Sequence, residues 1–223
     1  MNVIGRAEWG ARHGRGNVMP VRMVDTLVVH HDGIDRLTPD STFSQDAEVI
    51  RIFEEYHAKK LTPDNPRIAY TFIIPPSARI FEGCGWGRVG AHTGGHNSKT
   101  YGVCFAQNGA VTPLTSAQLV SLRQLRLDGV RNGYLSAKHS VKGHQDYNKP
   151  DCPGKLIYEA AVLSSKVLDD LTKPKVVWSN YFGDWLIVTR VVNDREWYFV
   201  PSRNLKRLEI RASELLSRMP EQP

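Results

Sequence analysis

The chain has 223 residues and a mass of 25.1 kDa, is 41% hydrophobic and 23% charged, and has a mean hydropathy of -0.37. This composition excludes wholesale disorder, a collagen-like repeat and a disulfide-stapled miniprotein, and the length suits one mid-sized domain with an appendage or two small domains. Lys and Arg number 29 against 23 acids, giving a net charge of +6 and a pI near 9.3, which favours anionic partners without choosing among nucleic acid, anionic lipid and an acidic wall polymer.

The amino-terminal stretch MNVIGRAEWGARHGRG carries neither the apolar core of a secretory signal nor a membrane span, so a soluble protein without membrane insertion is expected. Thr26 to His30 is a short β-branched run ending in polar residues and reads as a buried strand. Ser44 to Lys60 reads as an amphipathic helix, with Val49, Ile50, Phe53 and Tyr56 on the apolar face and Asp46, Glu48, Glu54 and Glu55 on the others. Ala69 to Ile74 is a second strand, stopped by Pro75 and Pro76. Arg79 to Glu82 and Tyr101 to Gln107 follow as strands, separated by a glycine-rich stretch from Gly83 to Gly95.

Thr115 and Gln118 have capping-box spacing and open a helix carrying Leu119, Leu122 and Leu125. A third helix is expected after Pro153, with Leu156, Ala160, Leu163, Val167 and Leu171 as its apolar stripe. Strands alternating with helices predict an α/β domain over residues 1–174, with a central mixed β-sheet flanked by helices. Beyond Pro174, seven aromatics fall between Val176 and Val200. Trp185–Val192 and Glu196–Val200, joined by a polar turn, read as a hairpin. Residues 175–223 are therefore expected to form a small β-rich subdomain, whose aromatics either pack its own core, the favoured reading, or grip a cell wall. This tail carries 8 basic and 6 acidic residues, so the positive charge is not concentrated in one patch and no nucleic-acid partner is expected.

Cys84, Cys104 and Cys152 are odd in number and far apart, so disulfides do not organise the fold, and Cys84 and Cys104 are expected as two buried thiols rather than a pair. His30, at a strand end, together with His144 and Cys152 from a distant loop, offers three nitrogen and sulfur donors and an open fourth position. Such a set would suit a catalytic zinc. The spacing by itself matches no zinc-finger pattern, and each residue alone reads more readily as a packed or solvated side chain than as a ligand. His13, His57, His96 and His139 are expected at the surface, His96 alone lying close to a loop of interest. Phe105 is expected in the core, and Trp86 either there or at a binding groove.

Seven motifs come in order: RAEWGA (Arg6–Ala11), VVHH (Val28–His31), AYTF (Ala69–Phe72), VGAHTGGHN (Val89–Asn97), YGVCF (Tyr101–Phe105), Gly143–His144 and DCPG (Asp151–Gly154). Together they resemble the zinc-dependent N-acetylmuramoyl-L-alanine amidases shared by phage endolysins and peptidoglycan recognition proteins. The resemblance spans about residues 5 to 172. It implies a zinc ion held by His30, His144 and Cys152, with His30 chosen over His31. It further implies Tyr70 as a catalytic group beside the metal, and His92 and Asn97 as residues lining the peptidoglycan groove. The family places a Lys or Thr two residues before the cysteine; here that residue is Pro150, and Lys149 lies one further back. Lys149 is thus a candidate catalytic group, with a solvated loop lysine as the equal alternative. The resemblance implies a monomeric hydrolase of the amide between N-acetylmuramic acid and L-alanine, acting as a phage endolysin that waits in the host cytoplasm and reaches the wall with a holin. The alternative is a noncatalytic peptidoglycan-binding protein on the same fold.

Overall fold

A computed structural model describes residues 2–163 and, beyond them, the backbone of four strands. The chain divides into two compact units, Met1–Leu163 and Ser164–Pro223; the boundary expected at residue 174 itself lies outside the described residues. The first unit is built on a six-stranded mixed sheet in the order β1-β4-β3-β5-β2-β6, formed by β1 (Val3–Ile4), β2 (Val24–His31), β3 (Phe72–Ile74), β4 (Ile80–Glu82), β5 (Tyr101–Phe105) and β6 (Leu135–Gly143). β2 lies parallel to both β5 and β6, β5 is also parallel to β3, and β3–β4 is the antiparallel pair. Parallel strands need covered faces, and the helices supply that cover.

One face packs Leu27, Val29, Phe72, Tyr101, Val103 and Phe105 with Leu122 and Leu125 of helix α3 (Ser116–Arg131). The other packs Ile73, Phe81 and Cys104 with Val49, Ile50 and Phe53 of helix α2 (Phe43–Lys60). Each such side chain, fully buried, contributes roughly 1.5–3 kcal/mol. Both helices begin at reciprocal capping boxes, Thr42 with Gln45 and Thr115 with Gln118, which satisfy amide donors the first turn leaves unpaired.

The polar face expected for α2 needs correction. Tyr56 is exposed, whereas Asp46 and Glu54 are buried. Asp46 accepts from Ser77 Oγ at 2.6 Å and Arg79 Nη1 at 2.8 Å. Glu54 accepts from Arg6 Nη2 at 2.9 Å and from the Arg12 and His13 amides. Buried carboxylates persist only with such partners, and these come from segments distant in sequence. Arg6 opens the short helix α1 (Arg6–Trp9). His57 and His139, expected at the surface, are also buried: His57 Nδ1 accepts the Ala69 amide at 3.2 Å, and His139 Nε2 accepts from Arg126 Nε at 2.8 Å. Trp86 packs on the core against Phe72, Tyr101 and Tyr134. Cys84 and Cys104 are free, buried thiols.

Strand β6 was not expected. Its sequence LSAKHSVKG alternates buried and exposed positions at the sheet's edge, where Lys138 and Lys142 face water and blunt the open edge. The helix expected after Pro153 starts as one turn, α4 (Lys155–Ile157), and continues as a π-helical segment over Tyr158–Leu163; its further stretch lies outside the described residues. Gly154, at the start of α4, has φ +82°, and a Cβ there would sit 2.3 Å from the Gly109 carbonyl carbon, so only glycine lets the two loops touch.

In the second unit, β7 (Val176–Ser179), β8 (Asp184–Val192), β9 (Arg195–Phe199) and β10 (Leu208–Arg211) form an antiparallel sheet in the order β10-β9-β8-β7. The expected hairpin is β8–β9, closed at Val192 and Arg195. Whether the tail's aromatics pack or bind lies outside the described residues. Among the described residues, no helix is long and apolar enough to cross a membrane.

Candidate active site

The carboxyl ends of the parallel strands β2 and β6 bring together residues far apart in sequence. Val29 pairs with Gly143 in register, so His30, one residue on in β2, stands beside His144, one residue on from β6. Their rings lie 4.6 Å apart. The loop after His144 folds back through a 2.6 Å hydrogen bond from the Gln145 amide to the Cys152 carbonyl and a 3.0 Å bond from the Cys152 amide to the Lys149 carbonyl. That return delivers Cys152 Sγ to 3.7 Å from His30 Nδ1. His30, His144 and Cys152 each offer a donor atom, all within 4.8 Å of one another. His31 takes a different direction, its Nδ1 accepting the Gly109 amide at 3.1 Å.

The donor set fits zinc on two counts. A nitrogen and a sulfur bound to one tetrahedral zinc stand about 3.6 Å apart, from bond lengths of about 2.1 and 2.3 Å, close to the separation found here. The protonation states also suit a metal site. Burial, reinforced by the neighbouring histidines, drives the pKa of His30 well below its usual value, so the imidazole is neutral with a lone pair to give. Burial likewise lowers the pKa of His144, a hydrogen bond donated to Asn148 opposing the shift and the Lys149 charge adding to it. Burial pushes the Cys152 thiol up to about 11, partly offset by a backbone hydrogen bond from His31 and by Lys149. Metal binding there must therefore displace a proton.

Tyr70 stands beside the cluster, its ring centroid 5.3 Å from that of His30. Burial, then the neighbouring Cys104 and Cys152, raises its pKa well above the usual phenol value, keeping the hydroxyl a donor. Lys149 is exposed at the rim, where its charge lowers the basicity of both His144 and Cys152. His92 is buried against His30, with ring centroids 5.1 Å apart. Asn97 is occupied locally: its Oδ1 accepts the His92 and Thr93 amides, each at 2.8 Å, and so shapes the loop carrying His92. His96, half-buried, rests on Tyr147 at 4.5 Å. Sequence reasoning missed Asn148, Thr93 and Thr100 as supports of the site. A glycine inside a strand, Gly102 in β5, was the one signal of close approach.

The fold and its donor cluster define a class, the α/β proteins built like peptidoglycan recognition proteins. A solved structure of peptidoglycan recognition protein-LE, in complex with tracheal cytotoxin, aligns with a TM-score of 0.64 at 27% identity, covering 70% of this chain and 90% of that one. The chain belongs to the Amidase_2 family, N-acetylmuramoyl-L-alanine amidase, whose family model matches residues 20–155. A human N-acetylmuramoyl-L-alanine amidase is 33% identical over 156 residues, covering 69% of this chain and 27% of the human protein. Peptidoglycan-recognition protein SC2 of Drosophila melanogaster is 28% identical over 158 residues, 71% of this chain and 83% of that protein. The chain thus corresponds to about a quarter of the human relative and most of the insect one.

Proposed function

We propose that the chain hydrolyses the amide between N-acetylmuramic acid and the L-alanine of the peptidoglycan stem, with His30, His144 and Cys152 holding a zinc ion. The observation that carries this reading is the convergence of two imidazoles, a thiol and a tyrosine in one cluster, His30 and His144 at the carboxyl ends of β2 and β6. A zinc ion held there would supply positive charge near the amide carbonyl and would lower the pKa of a bound water to about 7. Tyr70 donates its hydroxyl proton in a hydrogen bond to the carbonyl oxygen, and that bond strengthens as the oxygen gains charge. Lys149 adds a positive charge at the rim, and Cys152 serves as a ligand rather than a nucleophile. The proposal extends to a monomeric phage endolysin that crosses the host membrane with a holin.

A binding-only role is the second reading, favoured by Pro150 standing where the resemblance expects a Lys or Thr, and by relatives that include recognition proteins. Metal analysis combined with a lysis assay separates them. Wild-type protein is expected to carry about one zinc and to clear a suspension of bacterial walls, and Cys152→Ser to lose both. Lysis by zinc-free Cys152→Ser protein contradicts the metal role, and zinc binding without lysis supports the second reading.

A further inference from the structure

His92 makes a chain of contacts that groove lining does not require. Its Nδ1 lies 3.1 Å from His30 Nε2 and 2.9 Å from Thr93 Oγ1, and its Nε2 lies 3.4 Å from the Thr100 carbonyl oxygen. The ring is buried, and its hydrogen-bond partners are a hydroxyl, a carbonyl and an imidazole with no carboxylate to hold a charge, so it carries one proton; a carbonyl only accepts, so that proton sits on Nε2 and is donated to Thr100. His92 Nδ1 is then an acceptor, shared with the Thr93 hydroxyl. The His30 nitrogen facing it must therefore be the protonated one, which leaves His30 Nδ1 with its lone pair free. Nδ1 is the atom that stands 3.7 Å from Cys152 Sγ.

We propose that His92 is a positioning residue that locks His30 in its Nε2–H tautomer and presents Nδ1 to the metal. Hydrogen-bond partners of metal-binding histidines fix tautomer and ring orientation in this way. The surrounding chain is arranged for it. Gly102 leaves room for the ring, since a Cβ there would lie 2.5 Å from His92 Cγ. Asn97 Oδ1 ties down the His92 and Thr93 amides, and the β2–β5 pairing places Gly102 opposite Val28, two residues before His30.

This inference rests on the zinc reading, and its test separates the two. Zinc affinity of the full chain is measured by chelator competition for wild type, His92→Phe and His92→Asn. Phenylalanine fills the space without an acceptor and is expected to weaken zinc binding about 10–100-fold. Asparagine places an amide oxygen near the Nδ1 position and is expected to recover most of that loss. Zinc binding unchanged in His92→Phe, or equal losses in both variants, overturns the inference. If the variants do not fold, long-range proton–nitrogen NMR of zinc-loaded wild type decides: a proton on His30 Nε2 is expected, and a proton on Nδ1 overturns it. Wild-type protein that binds no zinc contradicts the metal reading and this inference with it, whereas zinc binding indifferent to His92 contradicts this inference alone.

Discussion

Replacing Gly102 by alanine probes the site through a position that carries no chemistry. Gly102 lies buried in β5, its amide donating to Thr71 Oγ1 at 3.0 Å and its carbonyl accepting the Thr71 amide at 2.8 Å, so the backbone is pinned. An added Cβ would stand 2.5 Å from His92 Cγ and 2.7 Å from both Cδ2 and Nδ1. Ordinary carbon contacts begin near about 3.5 Å, so the ring must retreat by about 1 Å. The His92–His30 bond, now 3.1 Å, would open to about 4 Å, beyond hydrogen-bond reach. Overpacking costs about 1–3 kcal/mol, and leaving buried ring nitrogens unpaired costs about 1–3 kcal/mol more. A combined loss of about 2–6 kcal/mol corresponds to a drop in Tm of roughly 4–24 °C for a unit of this size. Thermal unfolding of the zinc-free chain, followed by circular dichroism, reads the stability term, and chelator competition reads the metal term. A Gly102→Ala protein with wild-type Tm and wild-type zinc affinity would refute the packing argument.

Three further outcomes are expected. Glu54→Ala removes the counter-charge of buried Arg6 and the acceptor of two backbone amides, and urea denaturation should show a loss of about 3–5 kcal/mol; a loss below about 1 kcal/mol contradicts the role of that ion pair. Burial pushes the pKa of His57 down to about 4, below its unfolded value near 6.5. Its contribution is therefore complete above about pH 6.5 and fades as pH falls toward 4, and zinc-free wild type should lose about 2–3 kcal/mol more than His57→Asn between pH 7.5 and 4.5. Equal pH dependence of the two proteins in urea titrations would contradict this. Tyr70→Phe should keep zinc affinity within a few-fold while hydrolysis falls about 10²–10³-fold, and an unimpaired rate in a peptidoglycan digest removes Tyr70 from the chemistry.

The elements legible in the sequence are those whose signals are local. Thr26–His30 announces a buried strand by its β-branched run, and the Thr115–Gln118 box marks the start of α3 because capping is a four-residue interaction. β6 escaped notice because an edge strand keeps polar residues on its exposed positions, so LSAKHSVKG shows no apolar run. The burial of Asp46 and Glu54 depends on Arg79 and Arg6, which only the folded chain brings near. The same holds for the site. His30 and Cys152 lie 122 residues apart, so spacing alone argued weakly for shared ligation, and the ordered motifs were needed to single them out. The parallel register of β2 with β6 sets His30 beside His144, and the loop return that joins Gln145 to Cys152 brings the thiol to both. The His92–His30 contact had no sequence signal beyond a glycine in β5.

The central claim is that this cluster, loaded with zinc, cuts one particular bond. Purified peptidoglycan digested with the zinc-loaded chain and analysed by mass spectrometry, with labelling of new amino groups, tests it most directly. The account predicts stem peptides released with a free L-alanine amino terminus and glycan strands left with a lactyl carboxylate. Peptidoglycan left intact by folded, zinc-loaded protein, or cleaved at any other bond, would contradict it.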